Sequence, residues 1–468
     1  MKNNSDTTAS NIKLSPVTKL IYGTGRGVET LTFEAISIFY LYFLTDIVHL
    51  SPVTAALVLL FPRLWEGICN PIMGAISDRT RSRFGRRKPY MIGSALPIAV
   101  FFALMWIPID LGTNTYTALF YGLVFFVFAT AEAVFLVPYY SMGIEMTTDF
   151  DERTSVTTYR EMAGMVFALI AATVPSLLIH SFADAKTGYM VTGTVLAVAC
   201  GLMALFVGFN SKERSVENTE KPHYSFKDML KPLVQNKQFL HVTVIFFMIK
   251  FSFMAVESFQ VYFFTYWLNK QSLLPVFLIL SCVAWVVGTP FFKKVLEKKG
   301  KRFTYILSSS IWIVSSLSYL IVPRDAPLFV YFLIQFCCGL GWGYCHVLPA
   351  SMLADTTDLD ELMTGQRREG LMYGTWGLFG LIGGAIAMTP IMYILQKSGY
   401  VANSVQPQSA LNAIRYVMAL GASVPMFIGV IATLRYNITK ERHAEIRADI
   451  EEMYKKKSMA QEEAAGTL

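Results

Sequence analysis

The chain has 468 residues, of which 54% are hydrophobic and only 16% charged, with a net charge of +7. An ordinary soluble domain carries roughly 25% charged residues, so a water-facing surface is excluded for most of this chain. The positive excess does not mark a nucleic-acid partner, because lysine and arginine sit in short clusters between apolar stretches, as membrane topology requires.

The polar start, Met1 to Ser15, lacks the apolar core of a cleavable signal peptide, and the first apolar segment is expected to direct insertion. From there, apolar windows recur that are long enough to cross about 30 Å of hydrocarbon, which takes roughly 20 helical residues. They predict segments 1 to 6 over 17–46, 52–76, 89–109, 115–143, 159–181 and 188–209, and segments 7 to 12 over 239–267, 272–293, 303–322, 327–353, 370–396 and 409–435. The polar stretch between the two sets carries Lys212, Arg214, Lys221, Lys227, Lys231 and Lys237 and reads as a linker. The expected organisation is an all-α polytopic membrane protein: a six-helix half over 1–209, a linker over 210–238, a second six-helix half over 239–435 and a tail over 436–468.

The loop after segment 2 holds Arg79, Arg81, Arg83, Arg86, Arg87 and Lys88 within eleven residues of Asp78. Positively charged loops stay on the cytoplasmic side. The connections 148–158, 294–302 and 354–369 and the tail follow the same pattern, which places both termini inside. The six cysteines, Cys69, Cys200, Cys282, Cys337, Cys338 and Cys345, lie in apolar stretches without metal-ligand spacing and predict packing roles. No nucleophile motif, metal-spaced set or cofactor motif is present, so neither an enzyme nor a metal or cofactor site is expected.

An ionisable side chain at the centre of a membrane helix costs about 2.5–3.5 kcal/mol on insertion scales, so each one requires a reason. Segment 1 carries Arg26, Glu29 and Glu34, segment 2 Arg63 and Glu66, and segment 4 Glu132. Segment 5 opens with Arg160 and Glu161, segment 7 holds Lys250 and Glu257, and segment 10 holds His346. The pairs Arg26 and Glu29, Arg63 and Glu66, and Lys250 and Glu257 are spaced to share a helix face. Two readings stay open: the stripes line a polar cavity, or opposite charges pair and lock the bundle. Tyr139, Tyr140, Tyr373 and Trp376 are candidates for stacking on a sugar ring, with ordinary packing as the alternative.

The run from Gly74 through Asp78, Arg79, Gly85, Arg86, Arg87 and Pro89 resembles the loop 2–3 signature of the major facilitator superfamily. With Pro71-Ile72-Met73 before it, the run is similar to the glycoside-pentoside-hexuronide:cation symporters. Further matches are Tyr22 to Gly25, Thr45-Asp46, Arg63 to Glu66, Tyr262 to Tyr266, and Ala354 to Asp358, in order along nearly the whole chain. The resemblance implies two six-helix halves, alternating access and a place in a bacterial inner membrane, with a sugar as substrate and the chain working as a monomer. It also implies conformational gates at Asp78, Arg79, Arg86, Arg87, Asp355 and Asp358.

Carried over by position, Glu66 and Asn70 stand where sodium-coupled members have two aspartates one turn apart, with Arg63 beside them. With one carboxylate missing, the coupling ion is expected to be a proton, with sodium as the alternative. The acids that hold galactoside hydroxyls in such members are replaced by Thr30 and Leu136, whereas Arg160 is retained and His346 replaces an aromatic. Arg26, Arg160, Lys250 and His346 then make a cationic pocket suited to a carboxylate or sulfonate, with Glu29, Glu132 and Glu257 near it. The expected substrate is an acidic sugar: a uronide, an oligouronide or a sulfonated sugar. The alternatives are that these cations only neutralise the acids, or that an uncoupled facilitator or exchanger carries neutral glycosides or another amphipathic anion.

Overall fold

The helices begin where the sequence supplies caps. In the computed structural model, which describes residues 14–147, 149–211 and 226–466, Ser15, Ser51, Thr113, Asp149 and Asp184 each accept a hydrogen bond from the first turn of the helix that follows. Pro16 and Pro52 start their helices at positions where no backbone donor is needed.

Among the described residues, ten helices are long and apolar enough to cross a membrane. One of them, Gln271–Leu320, has 50 residues and a length of about 75 Å at the α-helical rise, more than twice the hydrocarbon thickness. Its helical geometry breaks at Gly300, with φ 77° and ψ 175°, a conformation open to glycine, so it comprises segments 8 and 9. Segment 1 is helical over Pro16–Thr24 and Arg26–Ala35 and continues through π-helical turns at Ile36–Tyr40 and Phe43–Ile47. With segment 1, all twelve predicted segments are present among the described residues.

Several boundaries differ from expectation. Segment 5 begins at Phe150, nine residues early, because the Asp149 carboxylate accepts from the Glu152 N–H at 2.8 Å and caps the polar turns that read as a loop. Segment 10 runs on to Thr364, where Gly365 (φ 66°) ends it in a left-handed cap. The polar connections 148–158 and 354–369 are therefore mostly helix. Helices also form within the linker, at Phe226–Gln235, and in the tail, at Lys440–Gly466. The start of the chain and Lys212, Arg214 and Lys221 lie outside the described residues.

The chain divides into two compact units. One comprises Met1–Glu220, Glu257–Ile279 and Met388–Ile414, so segments 1 to 6 are joined by the end of segment 7, the start of segment 8 and the 11–12 connection. Segments 1 and 4 approach closely where Tyr22 and Tyr139 stack with centroids 4.6 Å apart. A Cβ on Gly143 would overlap the Tyr22 hydroxyl. The other unit comprises Lys221–Val256, Leu280–Ala387 and Arg415–Leu468. Within it, Asn236 donates to the Thr356 carbonyl at 3.0 Å, and the tail helix packs along the end of segment 10.

Candidate functional site

In segment 2, Arg63 and Glu66 lie three residues apart and so face one way. The guanidinium holds the Glu66 carboxylate at 2.7 Å and stands 3.9 Å from Glu132 of segment 4. Thr32 of segment 1 donates its hydroxyl to the other Glu132 oxygen at 2.6 Å. The arginine is flanked by the rings of Phe33 and Phe125, at 5.6 and 5.5 Å, and its Nη2 is buried without a hydrogen-bond partner. One guanidinium therefore serves two carboxylates in an apolar setting, which leaves one negative charge to be met by a mobile cation or a proton. Glu132, grouped by sequence with the sugar ligands, thus belongs to this cluster. Asn70, one turn beyond Glu66, makes none of these hydrogen bonds.

A second cluster sits nearer the start of segment 1. Arg26, Glu29 and the Tyr140 hydroxyl form a closed triangle of hydrogen bonds. Arg160 lies over the Tyr140 ring, 5.0 Å from its centroid, and pairs with Glu161 at 2.6 Å. Tyr140 therefore carries a guanidinium at its hydroxyl and another at its face. Thr30 turns its hydroxyl to the Arg26 carbonyl at 3.0 Å. Tyr139 is fully buried and donates to the Tyr22 carbonyl at 2.9 Å, which gives it a packing role between segments 1 and 4.

In the second unit, the Lys250 ammonium stands 3.4 Å from His346 Nε2 and 5.4 Å from the Phe246 ring. Trp376 stacks on Phe246 and Trp342 stacks on His346, and both indole N–H groups are buried without a hydrogen-bond partner. Tyr373 is exposed. The wall thus offers donors and aromatic faces, the complement of a ligand rich in oxygen acceptors. Nothing in the spacing of Trp342 set it apart from packing residues.

Within the first unit, arginines of the basic loop pair with Asp78 and with Glu145 of segment 4. Arg87 is fully buried, 3.0 Å from Asp78 and 2.6 Å from Glu145, while Arg86 reaches the same Glu145 at 2.7 Å. Burial draws the Arg87 guanidinium below its ordinary value, and the charges of Glu145 and Asp78 act against that shift. Arg79 is exposed. Within the second unit, Asp355 pairs with Lys301 at 2.6 Å and accepts from Tyr436 at 2.8 Å. Asp358 meets His443 at 2.8 Å and Arg447 at 3.1 Å, both on the tail helix.

The sequence reading missed the cluster at the far end of segment 1. Asp46 is 1% exposed, and three hydroxyl groups donate to its carboxylate. Tyr400 donates to both of its oxygens at 2.7 and 2.6 Å, Tyr266 donates to one, and Thr45 to the other at 2.6 Å. Thr45 is also 2.6 Å from the Tyr262 hydroxyl, and Asn403 bonds the Asp46 carbonyl. A π-helical turn lies on each side of this contact, at Phe43–Ile47 and Phe263–Trp267. Such turns re-aim side chains and gather at functional positions. The motifs Thr45-Asp46 and Tyr262 to Tyr266 were visible in sequence, but nothing there joined them.

The profile of the family described as MFS/sugar transport protein matches residues 21–440. The chain is 28% identical to the isoprimeverose transporter of Lactiplantibacillus pentosus, with 91% of this chain and 89% of that one covered. It is 25% identical to the glucuronide carrier protein homolog of Escherichia coli (strain K12), with 94% and 96% covered. Among solved structures, the nucleoside transporter NupG superposes with a TM-score of 0.60 at 13% identity, over 90% of this chain and 100% of that one, a likeness of fold.

Proposed function

The chain belongs to the MFS/sugar transport protein family, and from that premise we propose that it is a proton-coupled symporter of acidic sugars. It is a multi-pass membrane transporter and not an enzyme. The observation that carries the proposal is the sharing of Arg63 by Glu66 and Glu132. A sodium ion needs several hard oxygen ligands around one seat, and the guanidinium already occupies the space between the two carboxylates. A proton needs only one carboxylate oxygen. Glu66 and Glu132 are the coupling groups in this reading, with Thr32 orienting Glu132.

The sugar's acidic group is read by cations. Arg26 and Arg160 around Tyr140 supply such cations in the first unit. Taken by itself, the second unit carries Lys250 with His346, and Trp342 and Trp376 with indole N–H groups suited to hydroxyl oxygens. The similarity to a glucuronide carrier homolog supports the same substrate class. Alternating access moves the site between the two faces of a bacterial inner membrane, with both termini on the cytoplasmic side and the Asp78–Arg87–Glu145 and Asp355–Asp358 clusters as inner gates. The Asp46 cluster is the outer gate. Thermal unfolding of the detergent-purified protein tests the substrate class. Millimolar glucuronides are expected to raise Tm by several degrees in sodium-free buffer, through mass-action stabilisation, with no rise from the matching neutral glycosides. Stabilisation by the neutral glycosides alone contradicts the cationic reading.

A further inference from the structure

The turn between segments 8 and 9, inside the second unit, carries positive charge that the described chain leaves unbalanced. Residues 293–302 hold six cations, Lys293, Lys294, Lys298, Lys299, Lys301 and Arg302, against the single acid Glu297. Lys301 is engaged on Asp355 at 2.6 Å. The other five are exposed and make no hydrogen bond or ion pair among the described residues. The arginines of other turns differ: Arg86 and Arg87 close on Glu145, and Arg368 closes on Asp360. Gly300 breaks the helix in the middle of the turn, and a Cβ there would meet nothing within 4 Å, so no described part of the chain covers it. The stretch 212–225, outside the described residues, has three acids against three lysines and arginines and brings no net negative charge.

The face on which the lysines stand points to their partner. On segment 8, Val283, Val287 and Phe291 are exposed at four-residue spacing, an apolar stripe suited to hydrocarbon. Lys294 and Lys298, three and seven residues beyond Phe291, continue the same stripe. Lys299 and Arg302 flank Gly300, and Phe303 is exposed where segment 9 begins. We propose that this turn binds the headgroup of an anionic phospholipid, with the phosphate at Lys294 and Lys298, Lys299 and Arg302 beside it, and the acyl chains along the valines and Phe291. Clusters of lysine and arginine at the end of a membrane helix attract anionic lipid, and ammonium and guanidinium groups hold phosphate oxygens by charge-assisted hydrogen bonds. A free anion would use the cations and leave the apolar stripe idle. The site needs nothing from the solute or the coupling ion, so it stands apart from the symport reading.

Titration of the full-length protein in a non-ionic detergent with fluorescent dioleoylphosphatidylglycerol, and with its phosphatidylcholine counterpart, tests the site. The wild type is expected to bind the anionic lipid at least tenfold more tightly. One cation near an anionic headgroup is worth about fivefold in affinity, so K294Q/K298Q is expected to bind phosphatidylglycerol at least tenfold more weakly than wild type, with phosphatidylcholine binding unchanged. K455Q/K456Q removes the same charge from exposed positions on the tail helix and is expected to bind as wild type does. All four lysines are exposed, and an unchanged thermal midpoint is expected in both variants. Equal affinity of the wild type for the two lipids, no loss in K294Q/K298Q, or an equal loss in the two variants overturns the proposal. Displacement of phosphatidylglycerol by millimolar inorganic phosphate at constant ionic strength would make the turn a site for free anions and overturn the lipid assignment.

Discussion

Glu66→Gln protein is expected to lose one coupled proton while still exchanging solute. Glutamine keeps the shape and one acceptor for Arg63, so the cluster stays assembled, but its amide takes up no proton. At one pH unit and zero membrane potential, steady-state accumulation of an acidic sugar should fall about tenfold, while counterflow of labelled against unlabelled sugar, which needs no net proton movement, should persist. Glu132→Gln should behave alike, because either carboxylate can supply the charge that Arg63 leaves uncovered. Arg63→Gln is the informative contrast. With the guanidinium gone, two carboxylates and the Thr32 hydroxyl face one another, and sodium-stimulated uptake is the expected gain. Loss of counterflow along with accumulation in Glu66→Gln would assign Glu66 to solute binding or folding instead of coupling.

Asp46→Asn is expected to loosen the opposite end of the first unit. A hydrogen bond to a charged group is worth about 1.5–3 kcal/mol, and Tyr266, Tyr400 and Thr45 all donate into this one carboxylate. The amide replaces one acceptor with a donor that faces hydroxyls already donating. A loss of only about 1.4 kcal/mol shifts the open population tenfold. With a cysteine at Ser258, inward of the cluster, in a background lacking the natural cysteines, a membrane-impermeant thiol reagent should label the Asp46→Asn protein at least tenfold faster than its parent. Tyr400→Phe should fall between. Equal labelling rates would reduce the cluster to a packing feature.

Membrane segments are legible because hydrocarbon imposes length and apolarity on every helix that crosses it. The same reading fails at helix ends outside the hydrocarbon. Asp149 caps a polar turn that has no apolar period, and Asp355, Asp358 and Asp360 ride on a helix that continues past its membrane span. For the site, cost singles out the charged residues inside the helices but not their partners. Arg63 and Glu66 were paired from their spacing on one helix, whereas Glu132 joins them from segment 4, and no periodicity within a helix encodes a contact between helices. In sequence, Asp46 is the last residue of predicted segment 1 and part of the Thr45-Asp46 match, with nothing to name its partners. Its importance comes from the hydroxyls of Tyr266 and Tyr400, more than two hundred residues away in the chain. Arg26 and Arg160 were grouped by charge alone, and Tyr140, between them, supplies the physical link.

Uptake of a radiolabelled glucuronide by proteoliposomes, with the outside made acid in sodium-free buffer, tests the central claim most directly. Concentrative uptake that follows the size of the pH gradient and is abolished by a protonophore is the predicted result. Uptake that ignores the pH gradient and appears only with an inward sodium gradient would contradict it.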